Sequence, residues 1–357
     1  MRCGRNDVGG GAHPKATVSY EKGFTPSGLQ SAYKITPGAT AKTIAIVDAY
    51  DNPNALQDLQ VYRQRFGLAG GATVTKMNQG GQVVETLDTT TGNITAGTGV
   101  APSPNVGWGQ EIALDLDMAS AICPGCNILL VEANSNSFAH LGAAVDTAAR
   151  QNVGSISNSY GANEFLGEAS FQSHYNHPGI AITVSSGDNG YGVEFPAASR
   201  YVTAVGGTSL TTNGTTWSES VWSGAGSGCS AYIAKPSWQT DRGCANRTVA
   251  DVSAVANPNT GVAVYDSYGS TGGANWYVFG GTSVSAPIIA SVYAQANNPI
   301  TYGERPYSNA SSLKDVVSGS NGKCTTRKNR SKAYLCTGVP GYDGPTGLGT
   351  PIGTTAF

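Results

Sequence analysis

Apolar residues along this 357-residue chain fall mainly into short, nearly unbroken runs, separated by stretches with helical spacing. The run "KTIAIVDAY" over 42–50 predicts a strand buried on both faces. The segment after it, "NALQDLQVYRQRFG", places apolar positions on one helical face and predicts a helix ended by Gly67. The alternation continues with a helix over 109–124, a strand over 127–133 and a helix in "FAHLGAAVDTAARQN". A strand in "GSISNSY", a helix-forming stretch near 164–176, and strands in "GIAITVSSGD" and "YVTAVGGTS" come next. Finally "VADVSAVA", "GVAVYD" and "NWYVFGG" lead into a helix after Ser283. Such strands alternating with helices predict an α/β fold, a mostly parallel central sheet with helices on both faces. Residues 1–26 lack apolar periodicity and read as a leader or linker, leaving 27–357 as one domain.

Composition narrows the class. Charged residues make up 12% of the chain, the formal net charge is −2, and 48 residues are glycine. This balance carries no basic footprint, so nucleic acid is excluded as an expected partner. No run approaches the ~18 apolar residues of a membrane span, and no membrane partner is expected. The N-terminus lacks the apolar core of a signal peptide, so an exported form would already have lost its signal. Six of the seven cysteines form sequence-local pairs: Cys123 with Cys126, Cys229 with Cys244, Cys324 with Cys336. Three loop-stapling disulfides in an oxidising, secreted setting fit this grouping, with Cys3 left over. Zinc at Cys123 and Cys126 is the competing reading, but no second ligand pair completes such a site.

Three short stretches carry candidate chemistry. In "GGTSVSAP", Ser283 stands at a loop-to-helix junction, where a helix N-terminus favours nearby negative charge; an ordinary N-cap is the alternative. A nucleophilic serine needs a base, and the four histidines, His13, His140, His174 and His177, all sit in contexts that suit surface or structural roles. In "EIALD", Glu111 and Asp115 are four apart on one helical face, flanked by Ile112, Ala113, Leu114 and Leu116. Two buried carboxyls that close share a proton and could accept a serine proton at acidic pH. In "SSGDNG", Asp188 follows a strand end, the usual ligand edge of an open α/β sheet; protonated, it could donate to an oxyanion.

In this order, "EIALD", "SSGDNG" and "GGTSVSAP" resemble the sedolisin family, serine-carboxyl peptidases with a subtilisin-like fold, from about residue 27 onward. The resemblance implies one peptidase domain hydrolysing peptide bonds through an acyl-enzyme, acid-active, monomeric, and acting on protein or peptide substrates. It makes Ser283 the nucleophile, Glu111 the base and acid, Asp115 the group orienting Glu111, and Asp188 the oxyanion partner. Asp48 and Tyr160 would support the carboxylates from behind, Tyr160 standing where the family often has tryptophan. Backbone at Ser159, Tyr160 and Gly161 would pair with substrate by strand addition. The segments "KDVVSGSNG" and "GVPGYDGPTGLGTP" look like the family's calcium segments, with carboxylates from Asp315 and Asp343 and carbonyls from Val316, Val339 and Gly341. Val339 occupies a usual glycine position, and the insert 324–336 separates the two halves. Two other readings stand beside this one: a histidine-dependent subtilase using Asp48 and Ser283, and a catalytically silent binding domain on the same scaffold.

Overall fold

A computed structural model describes residues 9–10, 13–17, 22–38, 42–270, 275–325 and 330–357; Cys3 lies outside them. Two short strands, β1 (Gly9–Gly10) and β2 (His13–Thr17), precede helix α1 (Pro26–Ala32). The alternating part follows as β3 (Ile44–Ala49), α2 (Ala55–Phe66), β4 (Thr73–Asn78), β5 (Val83–Asp88) and β6 (Ile94–Ala96). Then come α3 (Val106–Ile122), β7 (Ile128–Ala133), α4 (Phe138–Ala149), β8 (Ser155–Asn158) and β9 (Tyr160–Asn163). After them lie β10 (Ala181–Ser185), β11 (Glu194–Phe195), β12 (Thr203–Thr212), β13 (Trp217–Val221), β14 (Gly228–Ala234) and β15 (Asn246–Val249). The rest comprises β16 (Val252–Val255), β17 (Val262–Tyr265), β18 (Trp276–Gly280), α5 (Thr282–Ala296), α6 (Glu304–Ser308), β19 (Leu313–Lys314) and β20 (Thr350–Pro351).

The main sheet runs β13-β12-β10-β8-β3-β7-β4-β5-β6, with β16 also on β12. Its interior pairs are all parallel, and antiparallel pairing is confined to β12–β13 and the β4–β5–β6 meander. Strand period two sorts β3 between two layers. Ala45, Val47 and Ala49 pack with Phe138, Leu141 and Val145 of α4, whereas Ile44 and Ile46 pack with Ile112 and Leu116 of α3. The same parity carries Asp48 to the α3 side. Helices α3 and α5 pack against each other and are buried around almost their whole circumference, as helices that are apolar all round must be.

Several expectations need adjusting. The stretch near 164–176 becomes a 3₁₀ segment, Glu168–Tyr175, rather than an α-helix. The meander β4–β6 escaped notice because its strands are half-exposed and mixed in polarity. Residues ahead of position 26 also pair with the rest of the chain. Phe24 pairs with Val262, β2 pairs with β18, and Thr25 caps α1. Main-chain pairing of this kind needs no apolar periodicity, so the pattern could not reveal it. Gly23 permits the contact, since a Cβ there would lie 2.4 Å from the Ala263 nitrogen. All three disulfides form as grouped, and joining Cys123 to Cys126 removes the thiolates that zinc would need.

Candidate active site

The candidate groups meet at the C-terminal edge of the parallel strands, where open α/β sheets bind ligands. Asp48 lies near the end of β3, Ser159 directly follows β8, and Asp188 sits in the loop after β10. The α3–α5 packing brings Glu111 and Asp115 into the same region as Ser283, which occupies the first turn of α5. Asp48, Glu111, Asp115, Ser159 and Ser283 are all buried.

Hydrogen bonds link the residues around the serine to Asp115 and Asp188. Ser283 Oγ lies 3.5 Å from the Ser159 carbonyl oxygen. The Ser159 hydroxyl donates to Asp115 Oδ1 at 2.8 Å and sits 3.3 Å from the Ser283 carbonyl. On the other side of the serine, Asp188 Oδ1 accepts from the Thr282 amide at 2.7 Å and the Thr282 hydroxyl at 2.8 Å. Gly187 N donates to that hydroxyl at 3.1 Å, so the loop before Asp188 is bolted to the residue before Ser283.

Burial sets the protonation. It pushes the Asp115 carboxyl well above the usual range, and the charges of Asp48 and Glu111 push further in the same direction. Asp48 is raised by burial to about 8. A cluster that dry holds protons rather than full charge on every carboxyl. Neither oxygen of Asp48 accepts a hydrogen bond from the described residues, so its link to the cluster is through charge. Tyr160 departs from expectation. Its hydroxyl donates to Asn158 Oδ1 at 2.7 Å and lies 3.5 Å from the Tyr175 hydroxyl, so it bonds no carboxylate. A tyrosine oxygen is satisfied by the nearest acceptor, and here Asn158 supplies it.

The backbone role at Ser159–Gly161 has a visible precedent within the molecule. Strand β1 pairs antiparallel with β9, Gly10 opposite Tyr160 and Gly9 opposite Gly161. That edge therefore takes an extended segment.

The histidines are engaged elsewhere. His174 and His177 bracket Asp146 at 2.7 and 3.0 Å, and His140 lies 2.7 Å from the Ser135 hydroxyl. His13 pairs through its backbone with Gly280. Towards the C-terminus, Asp315 Oδ2 accepts from Gly341 N at 2.8 Å, and Asp343 accepts from Val339 N at 3.2 Å and Thr346 N at 2.9 Å. A Cβ on Gly338 would lie 2.9 Å from the Val316 carbonyl, so that carbonyl faces the same turn. Among the described residues no group of three or more His, Cys, Asp or Glu side chains is arranged to hold a metal ion.

Sequence reasoning missed the Ser159 hydroxyl, Thr282 and Glu194. The first two lie within the quoted motifs, where a hydroxyl beside a catalytic residue is a readable signal. Glu194, beside Gly161 and Gly187, has no motif of its own.

No family model matches the chain. It is 28% identical to kumamolisin of Bacillus sp. (strain MN-32) over 92% of its length, equal to 62% of that protein. It is 32% identical to sedolisin of Pseudomonas sp. (strain 101) over 48% of its length and 33% of that protein. The chain thus spans less than two thirds of these relatives. Among solved structures, Pseudomonas sedolisin (serine-carboxyl proteinase) complexed with two molecules of pseudo-iodotyrostatin matches with a TM-score of 0.72 at 26% identity. That match covers 93% of this chain and 96% of the other. The architecture is therefore subtilisin-like, a mostly parallel α/β sheet with the serine at a helix start beside the strand ends. Within that class, the chain is similar in sequence and fold to serine-carboxyl peptidases of the sedolisin type.

Proposed function

We propose that this chain is a secreted, acid-active serine-carboxyl endopeptidase that hydrolyses protein or peptide substrates through an acyl-enzyme. Ser283 Oγ attacks the scissile carbonyl while Glu111 takes its proton, and Glu111 then hands that proton to the leaving amine. Water repeats the sequence on the ester. Asp115 orients Glu111, and the Ser159 hydroxyl in turn holds Asp115. Asp188, which Thr282 holds through its amide and hydroxyl, serves as the donor to the oxyanion. One observation carries the reading: a serine at a helix start, with its neighbour Ser159 bonded to Asp115 of a buried, proton-holding carboxyl cluster.

Ser283→Ala and Glu111→Gln should each lower kcat on a peptide substrate at pH 4 at least about 10³-fold with unchanged circular dichroism. Substantial activity in Ser283→Ala would move the nucleophile elsewhere. The histidine-dependent reading retains one foothold, the backbone pairing of His13 with Gly280. His13→Ala should keep its activity at pH 4; its inactivation would revive that reading.

We infer further that calcium binds at the Asp315–Asp343 turn as a structural ion. Burial raises Asp343 to about 7, and the Asp315 charge adds to the shift. A hard cation beside two such carboxylates would favour their ionised forms, with the Val316, Val339 and Gly341 carbonyls as neutral oxygen ligands.

A further inference from the structure

We propose that Glu194 selects a lysine or arginine in the substrate residue that supplies the scissile carbonyl. The proposal rests on the peptidase reading above and names the specificity of that same site.

The position of that residue follows from the strand register. A peptide laid on β9 as Gly9–Gly10 is would put successive residues opposite Gly161 and Tyr160, and the next opposite Ser159. The Ser159 carbonyl is the group 3.5 Å from Ser283 Oγ, so the residue opposite it carries the bond to be cut. Its backbone is bracketed by Ser159 on one side and the loop of Asp188 on the other. On the proposal its side chain lies between β9 and that loop, beside Glu194.

Gly161 of β9 and Gly187 of that loop both lie against one carboxyl. A Cβ on Gly161 would lie 2.6 Å from Glu194 Oε2, and a Cβ on Gly187 would lie 2.7 Å from Glu194 Cδ. Gly187 also has φ +111°, a conformation that other residues rarely adopt. Strand β11 holds Glu194 in place by pairing it with Asn163 of β9. Glu194 is half-buried, and among the described residues no Lys or Arg pairs with it. The exposed Asn189 amide donates to its Oε1 at 3.1 Å. A basic substrate side chain beside Glu194 would give this carboxylate a charge-assisted hydrogen-bond partner.

The groups facing Glu194 also fix how the preference varies with pH. The 186–190 loop presents the Asp188 carboxyl and the Asn189 amide, while β9 presents Gly161 and Asn163, neither of which titrates. Burial, reinforced by the Asp188 charge, raises the Glu194 carboxyl above its ordinary range. Selection for a cation should therefore strengthen as pH rises and Glu194 ionises.

The test uses internally quenched peptides that differ only at the residue before the scissile bond: lysine, arginine, its uncharged analogue norleucine, or glutamate. The full chain should favour lysine over norleucine in kcat/KM by about tenfold at pH 5–6, with a smaller ratio at pH 3. Glu194→Gln should bring the ratio near one, and Glu194→Lys should shift preference toward glutamate. Peptide hydrolysis without a lysine preference, or a Glu194→Gln loss equal for both peptides, would overturn the specificity role while leaving the peptidase reading intact. No Ser283-dependent hydrolysis of any of these peptides would overturn the peptidase reading, and this role with it.

Discussion

At the scale of single residues, the proposed oxyanion partner and the carboxyl cluster make separable predictions. A carboxyl donates only while protonated, whereas an amide donates at every pH. Asn at position 188 would still accept both Thr282 donors through its carbonyl oxygen. Asp188→Asn should therefore retain a larger fraction of its own maximal rate at pH 6–7 than the parent does, even with a lower peak. A parent fully active at pH 8 would exclude the carboxyl mechanism. Ser159→Ala removes the hydroxyl held by Asp115 but leaves the carbonyl near Ser283. We expect kcat to fall about tenfold, the worth of one buried hydrogen bond, with KM within about twofold. An equal loss in KM would instead assign Ser159 to substrate binding.

At the scale of elements, α3 and α5 form the site by packing tightly. Leu114 is fully buried in the cluster that also holds Val284 and Ile288. Leu114→Ala should cost roughly 2–5 kcal/mol in denaturant unfolding at pH 4. The C-terminal turn gives a second prediction. Metal ligands must be deprotonated, and Asp343 titrates at about 7, so calcium should raise Tm more at pH 7 than at pH 4. EGTA at pH 7 should lower Tm, and Asp343→Asn should abolish that response. An unchanged Tm in excess EGTA at pH 7 would remove the site.

For the whole molecule, buried acids set the direction of pH-dependent stability. Burial raises Asp266 to about 6, Asp48 to about 8 and Glu168 to about 8, against ~4 for exposed carboxyls in an unfolded chain. The folded chain thus holds these protons more tightly. Their stabilising contribution is complete below about pH 4 and is lost as pH rises through 6 to 8. Tm without calcium should fall by roughly 5–15 °C between pH 4 and pH 8. A Tm that rises over this interval would contradict the burial of these groups.

The apolar runs at 42–50 and 127–133 and the helical spacing after Asn54 made the parallel core legible, because burial on both faces leaves an unbroken apolar record. "EIALD", "SSGDNG" and "GGTSVSAP" likewise pointed to Glu111, Asp115, Asp188 and Ser283, and local cysteine spacing matched the three disulfides. Other features arise only from contacts between segments far apart in sequence. The pairing of Gly9–Gly10 with β9 uses main-chain groups that every residue carries, so it leaves no side-chain pattern. Thr282 meets Asp188 from 94 residues away, and Ser159 meets Asp115 from 44. Glu194 became a candidate only when Gly161 and Gly187 closed around its carboxyl. Side-chain type and local period determined the elements and the candidate groups, and close packing across the sheet edge decided which of those groups lie together.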